Sequence, residues 1–387
     1  MKKICIITTI PSTLKSFVLP TAEKLHQNEK YDVTLISSYD ENFVKDLPDY
    51  IRFIPVNMKR GVSLSGFKAI SKFRKIFKKE KFDLVQYSTP NAALYASIAA
   101  KQAKVPIRLY AQWGIRYVGL SGFSRRIFKL LEKMVCKRST HIRSVSPMNM
   151  KFAIDEGLYN QEKSKVIGRG GTIGVCTKEY DISKKQEWRS EIRQSYDIQD
   201  TDFVYGFVGR ISADKGCKEL LVAFKDIVEK NQSAKLVIVG ANEIKGEILG
   251  ELIEWAKSCK NIILTGKIDK EKMREYYSAI DVLVHPTYRE GFGMVIQEAG
   301  ALAVPTITTR IPGASEVMEE NSSCLLVEPK NSNELREAME RLSTDRELCA
   351  KLGDGAYKMV CNYYEREKML GNLLTDYDSL LKQEIKQ

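Results

Sequence analysis

Residues 281–305 read DVLVHPTYREGFGMVIQEAGALAVP. The opening run, DVLVHP, is short, apolar and β-branched, and reads as a buried strand. Residues 294–302 are small and apolar at helical spacing, and read as a helix. Gly291 and Gly293 lie between them, where a glycine lets the backbone approach a ligand and free N–H groups at a helix start can take an anion. Glu290 falls in the loop, and Glu298, eight residues later, falls about one and a half turns into the helix. A strand, a glycine loop with a carboxylate and a helix with a second carboxylate make a βα unit built around a ligand.

A second segment has the same form. In FVGRISADKGCKELLVAF, residues 207–224, a strand ends at Gly209, Arg210 follows, and Lys215 stands just before a helix. Arg binds phosphate bidentately and Lys adds a mobile charge, so the pair suits a diphosphate beside a helix N-terminus.

The βα rhythm extends over the whole chain. ICIITT, YDVTLIS, FDLVQYS, PIRLYA and HIRSVS read as strands in the first half, with helices over 14–28, 91–104 and 123–137. FVYGFVG, KLVIVG, NIILTG, DVLVHP, PTITT and CLLVEP read as strands in the second, with helices over 216–230, 270–279, 294–302, 331–342, 346–362 and 365–385. Strands alternating with helices imply parallel sheets covered on both faces. The polar stretch DISKKQEWRSEIRQSYDIQD interrupts the rhythm and places a domain joint near residues 170–195. The expected organisation is an α/β protein with domains at 1–180 and 181–364 and a C-terminal helix, 365–387, returning to the first. Two doubly wound domains facing across a cleft put ligands at the carboxyl ends of both sheets.

The chain has 387 residues, 43% hydrophobic and 28% charged, as in soluble globular proteins. No stretch approaches the ~18 uncharged apolar residues of a spanning helix. The start, MKKICIITTIPSTLKSF, has two lysines and a short apolar run broken by Pro11, and reads as a first strand rather than a secretory leader. The eight cysteines form no C-x-x-C pair and there are only three histidines, so a zinc site or disulfide framework is not expected. His26 and His141 read as structural. His285, ending DVLVHP, reads as a strand cap or a residue at the cleft floor.

The two segments together, with the later PGASEV run (Gly313, Glu316), resemble the retaining glycosyltransferases of family 4, which have the GT-B fold: two Rossmann-like domains. The resemblance spans about residues 203–329, and within the family it is most similar to enzymes of capsule, O-antigen and other surface-polysaccharide assembly. It implies that Arg210 and Lys215 hold the diphosphate of a sugar nucleotide, that Glu298 binds the ribose hydroxyls, and that Glu290 orients the donor sugar. It implies that Gly209, with the backbone N–H groups of Gly291, Phe292 and Gly293, lines the pocket, and that Lys267 and Ile268 pack the nucleobase. The implied reaction is glycosyl transfer with retention, from a UDP-sugar by family frequency. Preorganised cations at a leaving diphosphate and a carboxylate near a cationic sugar fit that chemistry independently. No cofactor or metal is expected: the D-x-D at Asp376–Asp378 falls in the terminal helix.

The first half departs from the family pattern. The loop after its first strand, TIPSTLKSF, lacks glycine. AQWGIRYVG carries Gln112 and Trp113 where a His is usual, and GRGGTIGVC carries Cys176 where Asp is usual. Trp113, Arg116 and Arg169 are the remaining acceptor-side expectations.

Charge divides the chain. Residues 1–180 carry a net +18 and the remainder −6. The excess concentrates in KAISKFRKIFKKEKF, residues 68–82, and SRRIFKLLEKMVCKR, residues 124–138, where cations interleave with bulky apolar residues. Basic amphipathic helices of this kind suit an anionic membrane surface. The expected partners are therefore a sugar nucleotide, a glycan or polyprenyl-diphosphate-linked sugar acceptor, and the inner face of a cell membrane, for a cytoplasmic, peripheral enzyme. Nucleic acid is disfavoured, since no RNP, KH, helix-turn-helix or zinc-finger pattern appears. A sugar-nucleotide epimerase or a glycan phosphorylase shares the fold, but the spacing of the Arg/Lys and Glu/Glu pairs argues against both.

Overall fold

The computed structural model describes residues 1–58, 65–243 and 247–383. The last residues of the expected terminal helix, 384–385, lie outside them. The chain forms two units: one is Met1–Ile173 with Glu367–Gln387, the other Gly174–Arg366.

The first unit is built on β1 (Lys2–Ile7), β2 (Tyr31–Ser37), β3 (Arg52–Pro55), β4 (Leu84–Tyr87), β5 (Ile107–Gln112), β6 (His141–Ser144) and β7 (Ser164–Val166). They form one parallel sheet in the order β3-β2-β1-β4-β5-β6-β7. Successive residues point to opposite faces. Cys5, Ile7, Val85 and Tyr87 pack under the helices Ser65–Glu80 and Pro90–Gln102. Ile4, Ile6, Leu84 and Leu109 meet Leu14 and Leu25 on the other face. That second face is completed by the last helix, Arg366–Gln383, through Tyr377, Leu380 and Leu381. A buried ion pair, Arg143 Nη2 to Asp376 Oδ2 at 2.6 Å, and the Tyr377 hydroxyl to Gln86 Oε1 at 2.5 Å fix the helix there. Asp376 also takes Lys165 at 3.1 Å, and Asp378 accepts the Tyr31 hydroxyl, so both D-x-D carboxylates are structural.

The second unit is built on β8 (Phe203–Val208), β9 (Ala234–Val239), β10 (Ile262–Gly266), β11 (Val282–His285), β12 (Thr306–Thr309) and β13 (Cys324–Val327). All are parallel, in the order β10-β9-β8-β11-β12-β13. Phe203, Tyr205, Phe207, Leu220, Phe224 and Leu236 form its core. The polar stretch at the expected joint contains a helix, Lys185–Ser195, that buries Trp188 and Ile192. Its Arg189 and Arg193 clamp Asp281 at 2.7 and 2.9 Å. Two apolar residues per helix are a weak periodic signal, and the clamp replaces part of the missing apolar contact.

In each sheet the strand order reverses once, between β1 and β4 and between β8 and β11. Connections leaving a reversal point diverge to opposite faces and open a crevice at the carboxyl ends. β8 and β11 are neighbours, so the loops that follow them meet above the second sheet. Among the described residues, no helix is long and apolar enough to cross a membrane.

Candidate active site

The loop after β8 carries Arg210, Asp214 and Lys215, and the loop after β11 carries Arg289 and Glu290. Backbone contacts join the two. The Tyr288 N–H donates to the Asp214 carbonyl at 2.9 Å, and the Thr287 hydroxyl donates to the same oxygen at 3.2 Å. Gly216 closes the approach. Its φ of +69° is left-handed, and a Cβ there would overlap the Pro286 carbonyl oxygen, so only glycine fits.

This closeness places Lys215 Nζ 2.7 Å from Glu290 Oε2. His285, the last residue of β11, brings Nε2 to 3.0 Å from the same oxygen. Glu290 Oε1 accepts the Gly291 N–H at 2.9 Å. The Lys215 and Glu290 side chains are only 16% and 18% exposed, and His285 is buried. Burial pushes the Glu290 carboxyl up, but the His285 hydrogen bond and the Lys215 charge outweigh it and hold Glu290 far below the ordinary carboxylate range. Burial holds His285 below its ordinary value, hence neutral. A carboxylate only accepts, so the network assigns the proton to Nε2. Nδ1 is buried with no partner among the described residues.

Arg210 stands beside this cluster, not in it. Its guanidinium meets Glu243 at 2.8 Å and Asp214 at 3.3 Å, and Asp214 also takes Arg289 at 3.2 Å. Burial raises the Asp214 carboxyl, but the Ser212 hydroxyl and the two guanidiniums bring it below its ordinary value. Arg210 is 45% exposed, and half-exposed pairs are worth roughly 0–1 kcal/mol, so an incoming anion displaces them at little cost.

Glu298 lies on the helix Met294–Ala301, which Gly293 opens at a φ of +45°. Its Oε2 accepts the Tyr277 hydroxyl at 2.8 Å. Burial raises its pKa, and the Tyr277 bond and the Lys270 charge only partly offset this. The Tyr180 ring packs 6.2 Å from that of Tyr277 on the same side. The Phe292 side chain is core, edge-on to Tyr364 at 5.6 Å, which leaves its backbone for the loop. Gly313 presses against the Glu290 and Gly291 carbonyls, where a Cβ would overlap them, and its N–H donates to Glu316 at 2.9 Å.

Lys215, Glu290, Gly291 and His285 are thus in direct contact, and Arg210 is joined to the same loops through Asp214. Gly209 ends β8. Lys267 is exposed and Ile268 half-buried after β10, two strands from β8. In the first unit, Trp113 packs on Phe17 at 5.8 Å, the Arg116 guanidinium lies over the Phe128 ring at 4.4 Å, and Arg169 is exposed in a glycine-rich loop. Asp214, Arg289, Tyr180 and Tyr277 went unnoticed in the sequence. The first two lie inside the quoted segments, each next to a named residue, while the tyrosines carry no sequence signal. Among the described residues, no group of three or more His, Cys, Asp or Glu is placed to hold a metal ion.

The chain is similar to known proteins. Residues 189–359 match the family model described as glycosyl transferases group 1, and residues 3–146 match glycosyl transferase 4-like. The chain is 30% identical over 359 residues to the capsular polysaccharide biosynthesis glycosyltransferase CapM of Staphylococcus aureus, covering 92% of each chain. It is 24% identical to the UDP-Gal:alpha-D-GlcNAc-diphosphoundecaprenol alpha-1,3-galactosyltransferase of Escherichia coli, covering 84% of this chain and 83% of that one. The fold superposes on Anabaena Alr3699/HepE in complex with UDP and glucose with a TM-score of 0.80, at 19% identity, covering 98% of this chain and 100% of that one. The chain belongs to the group 1, family 4-like glycosyltransferases, with the GT-B fold.

Proposed function

We propose that the protein is a retaining glycosyltransferase of surface-polysaccharide assembly, moving a sugar from a UDP-sugar to a glycan or polyprenyl-diphosphate-linked sugar without a metal. The observation that carries this reading is the Lys215–Glu290–His285 cluster at the reversal point of the second sheet, with Arg210 beside it. Transfer breaks the bond from the anomeric carbon to the diphosphate oxygen and forms one to the acceptor hydroxyl oxygen, whose proton leaves. Negative charge grows on the diphosphate, where Lys215 and Arg210 answer it, and positive charge grows on the sugar beside ionised Glu290. Glu290, already accepting three hydrogen bonds and far from its ordinary pKa, is a weak base and a weak nucleophile. Its part is orientation and charge. The departing diphosphate oxygen is then the base at hand for the acceptor proton, which matches retention.

Glu298 takes the ribose hydroxyls, the N–H groups of Gly291, Phe292 and Gly293 line the sugar and phosphate pocket, and Lys267 with Ile268 packs the base. The CapM relative is named for capsular polysaccharide, the Escherichia coli relative for a UDP-sugar and a diphosphoundecaprenol-linked acceptor, and the Anabaena protein binds UDP. These names support donor and acceptor of that class. A thermal-shift screen of sugar nucleotides tests the donor, since a bound ligand raises the midpoint by mass action. Proton NMR of the product with a lipid-linked acceptor then reads the anomeric configuration. A flat screen across UDP-, GDP- and dTDP-sugars, or an inverted product, would overturn the reading.

A further inference from the structure

One face of the first sheet is covered by three helices. Pro90–Gln102 is buried in the middle, with Ser65–Glu80 packed on it from one side and Gly122–Arg138 from the other. The sequence treats the two flanking helices alike, but the structure separates them. Beyond Phe67 at its start, Ser65–Glu80 turns its apolar residues inward, Phe73 and Phe77 among them, and shows solvent mostly lysines. Gly122–Arg138 leaves Phe123, Ile127, Leu130 and Met134 exposed by 76, 38, 63 and 36%. Spaced four, three and four apart, they form a ridge about 60° wide on the helix. Arg126, Lys133 and Lys137 run along one side of the ridge and make no ion pair among the described residues. The helix's one carboxylate, Glu132, points inward and accepts Tyr110 and Gln112 at 2.8 and 2.7 Å.

The placement on the sheet adds a direction. Helices in βα units run opposite to the strands, so both flanking helices start at the sheet's carboxyl edge, where the β1/β4 reversal lies. The most exposed aromatics, Phe123 and Phe67 at 72%, stand at those two starts.

We propose that this face docks on an anionic lipid bilayer. Phe67, Phe123 and Leu130 enter the interfacial region, the cations beside them meet headgroup phosphates, and the ligand edge of the first sheet is held at the lipid surface. Glu156 holds Arg125 and Lys129, farther round the helix, at 3.6 and 2.7 Å. The convex apolar ridge and the cations along its side complement a fluid anionic surface. A second copy would bring the same cations against it and repel. The inference deepens the lipid-linked acceptor reading, which gives docking its purpose, but the surface argument stands without it.

The test uses the full chain and sedimentation with vesicles of phosphatidylcholine alone or mixed with phosphatidylglycerol. Binding is expected to the mixed vesicles only, weakened but not abolished at about 0.5 M salt, because salt screens the charges and not the apolar insertion. Phe123→Glu/Leu130→Glu should weaken binding about tenfold or more at any salt. Lys133→Glu/Lys137→Glu should weaken it mainly at low salt. Both variants should keep the wild-type unfolding midpoint and the wild-type donor-induced shift. Wild-type protein left in the supernatant, variants that bind as wild type, or a dimer that the same variants split would each overturn the proposal. Vesicle binding with no donor shift in any protein would instead sink the sugar-nucleotide donor reading and leave docking intact.

Discussion

Replacing Lys215 by Met keeps the aliphatic stem and removes the charge 2.7 Å from Glu290. Deleting one partner of a buried ion pair costs about 3–5 kcal/mol. Glu290 retains the His285 and Gly291 hydrogen bonds and some solvent contact, so about 2–3 kcal/mol is the expected loss here. For a unit of this size that lowers the thermal midpoint by about 4–12 °C. Turnover should fall about 10²–10³-fold, as for loss of one charge-stabilising donor. The pH dependence separates this cause from general damage. Glu290 is held below its ordinary value of 4.5, so its stabilisation is complete above that pH and is lost as the pH falls below it. The gap between wild type and Lys215→Met should be constant near neutrality and narrow only as acid protonates Glu290 in the variant, where the His285 and Gly291 hydrogen bonds still favour the carboxylate. Adding Glu290→Gln should recover part of the loss, a coupling of about 2 kcal/mol in a double-mutant cycle. Calorimetry across pH with a turnover assay reads all of this. An unchanged midpoint at pH 7, or a double-mutant cycle with no coupling between Lys215 and Glu290, would refute this reasoning.

Glu298→Gln should act in two opposite ways. Burial raises the Glu298 pKa, so its ionisation costs stability above its ordinary value of 4.5; the amide should raise the midpoint at neutral pH and abolish the donor-induced shift. His285→Ala should cost about 2–3 kcal/mol and lower turnover by loosening Glu290, with donor affinity little changed. In the wild type, nitrogen NMR should find the neutral Nε2–H tautomer persisting below the ordinary histidine pKa of 6.5. Gly216→Ala forces a left-handed φ and an overlap with Pro286, so it should lower stability by at least about 2 kcal/mol and separate Lys215 from Glu290, seen as a lowered midpoint with a matching fall in turnover.

The sheets were largely legible because parallel strands buried on both faces are continuous apolar runs, such as FVYGFV and AKLVIV. The short edge strands RFIP and SKV were not, since they are only four and three residues long, too short to show a run or an alternation. The helix Lys185–Ser195 stayed hidden because an Arg–Asp clamp does part of the work that apolar periodicity normally signals. At the site, residue types were readable and contacts were not. Lys215 and Glu290 are 75 residues apart, and only the adjacency of β8 and β11 brings them together. His285 looked as much like a strand cap as a site residue. Its hydrogen bond to Glu290 depends on the turn over 286–290, which its own neighbours in sequence do not reveal.

Charge acts in this chain by two different physics. The first half carries +18, much of it exposed on two helices, where it acts as a field over roughly a Debye length and weakens with salt. The second half is net acidic at −6, yet it holds the cations assigned to the donor. Those cations matter because Lys215 is largely buried against Glu290, and in a poorly hydrated site one charge at 2.7 Å outweighs many distant screened ones. The sign of a domain's net charge therefore indicates what surface it approaches, whereas the sign of a ligand is set by the few groups the fold has withdrawn from water. It follows that raising ionic strength should weaken lipid docking well before it weakens donor binding, and that reversing surface lysines of Ser65–Glu80 should leave the donor-induced thermal shift where it was.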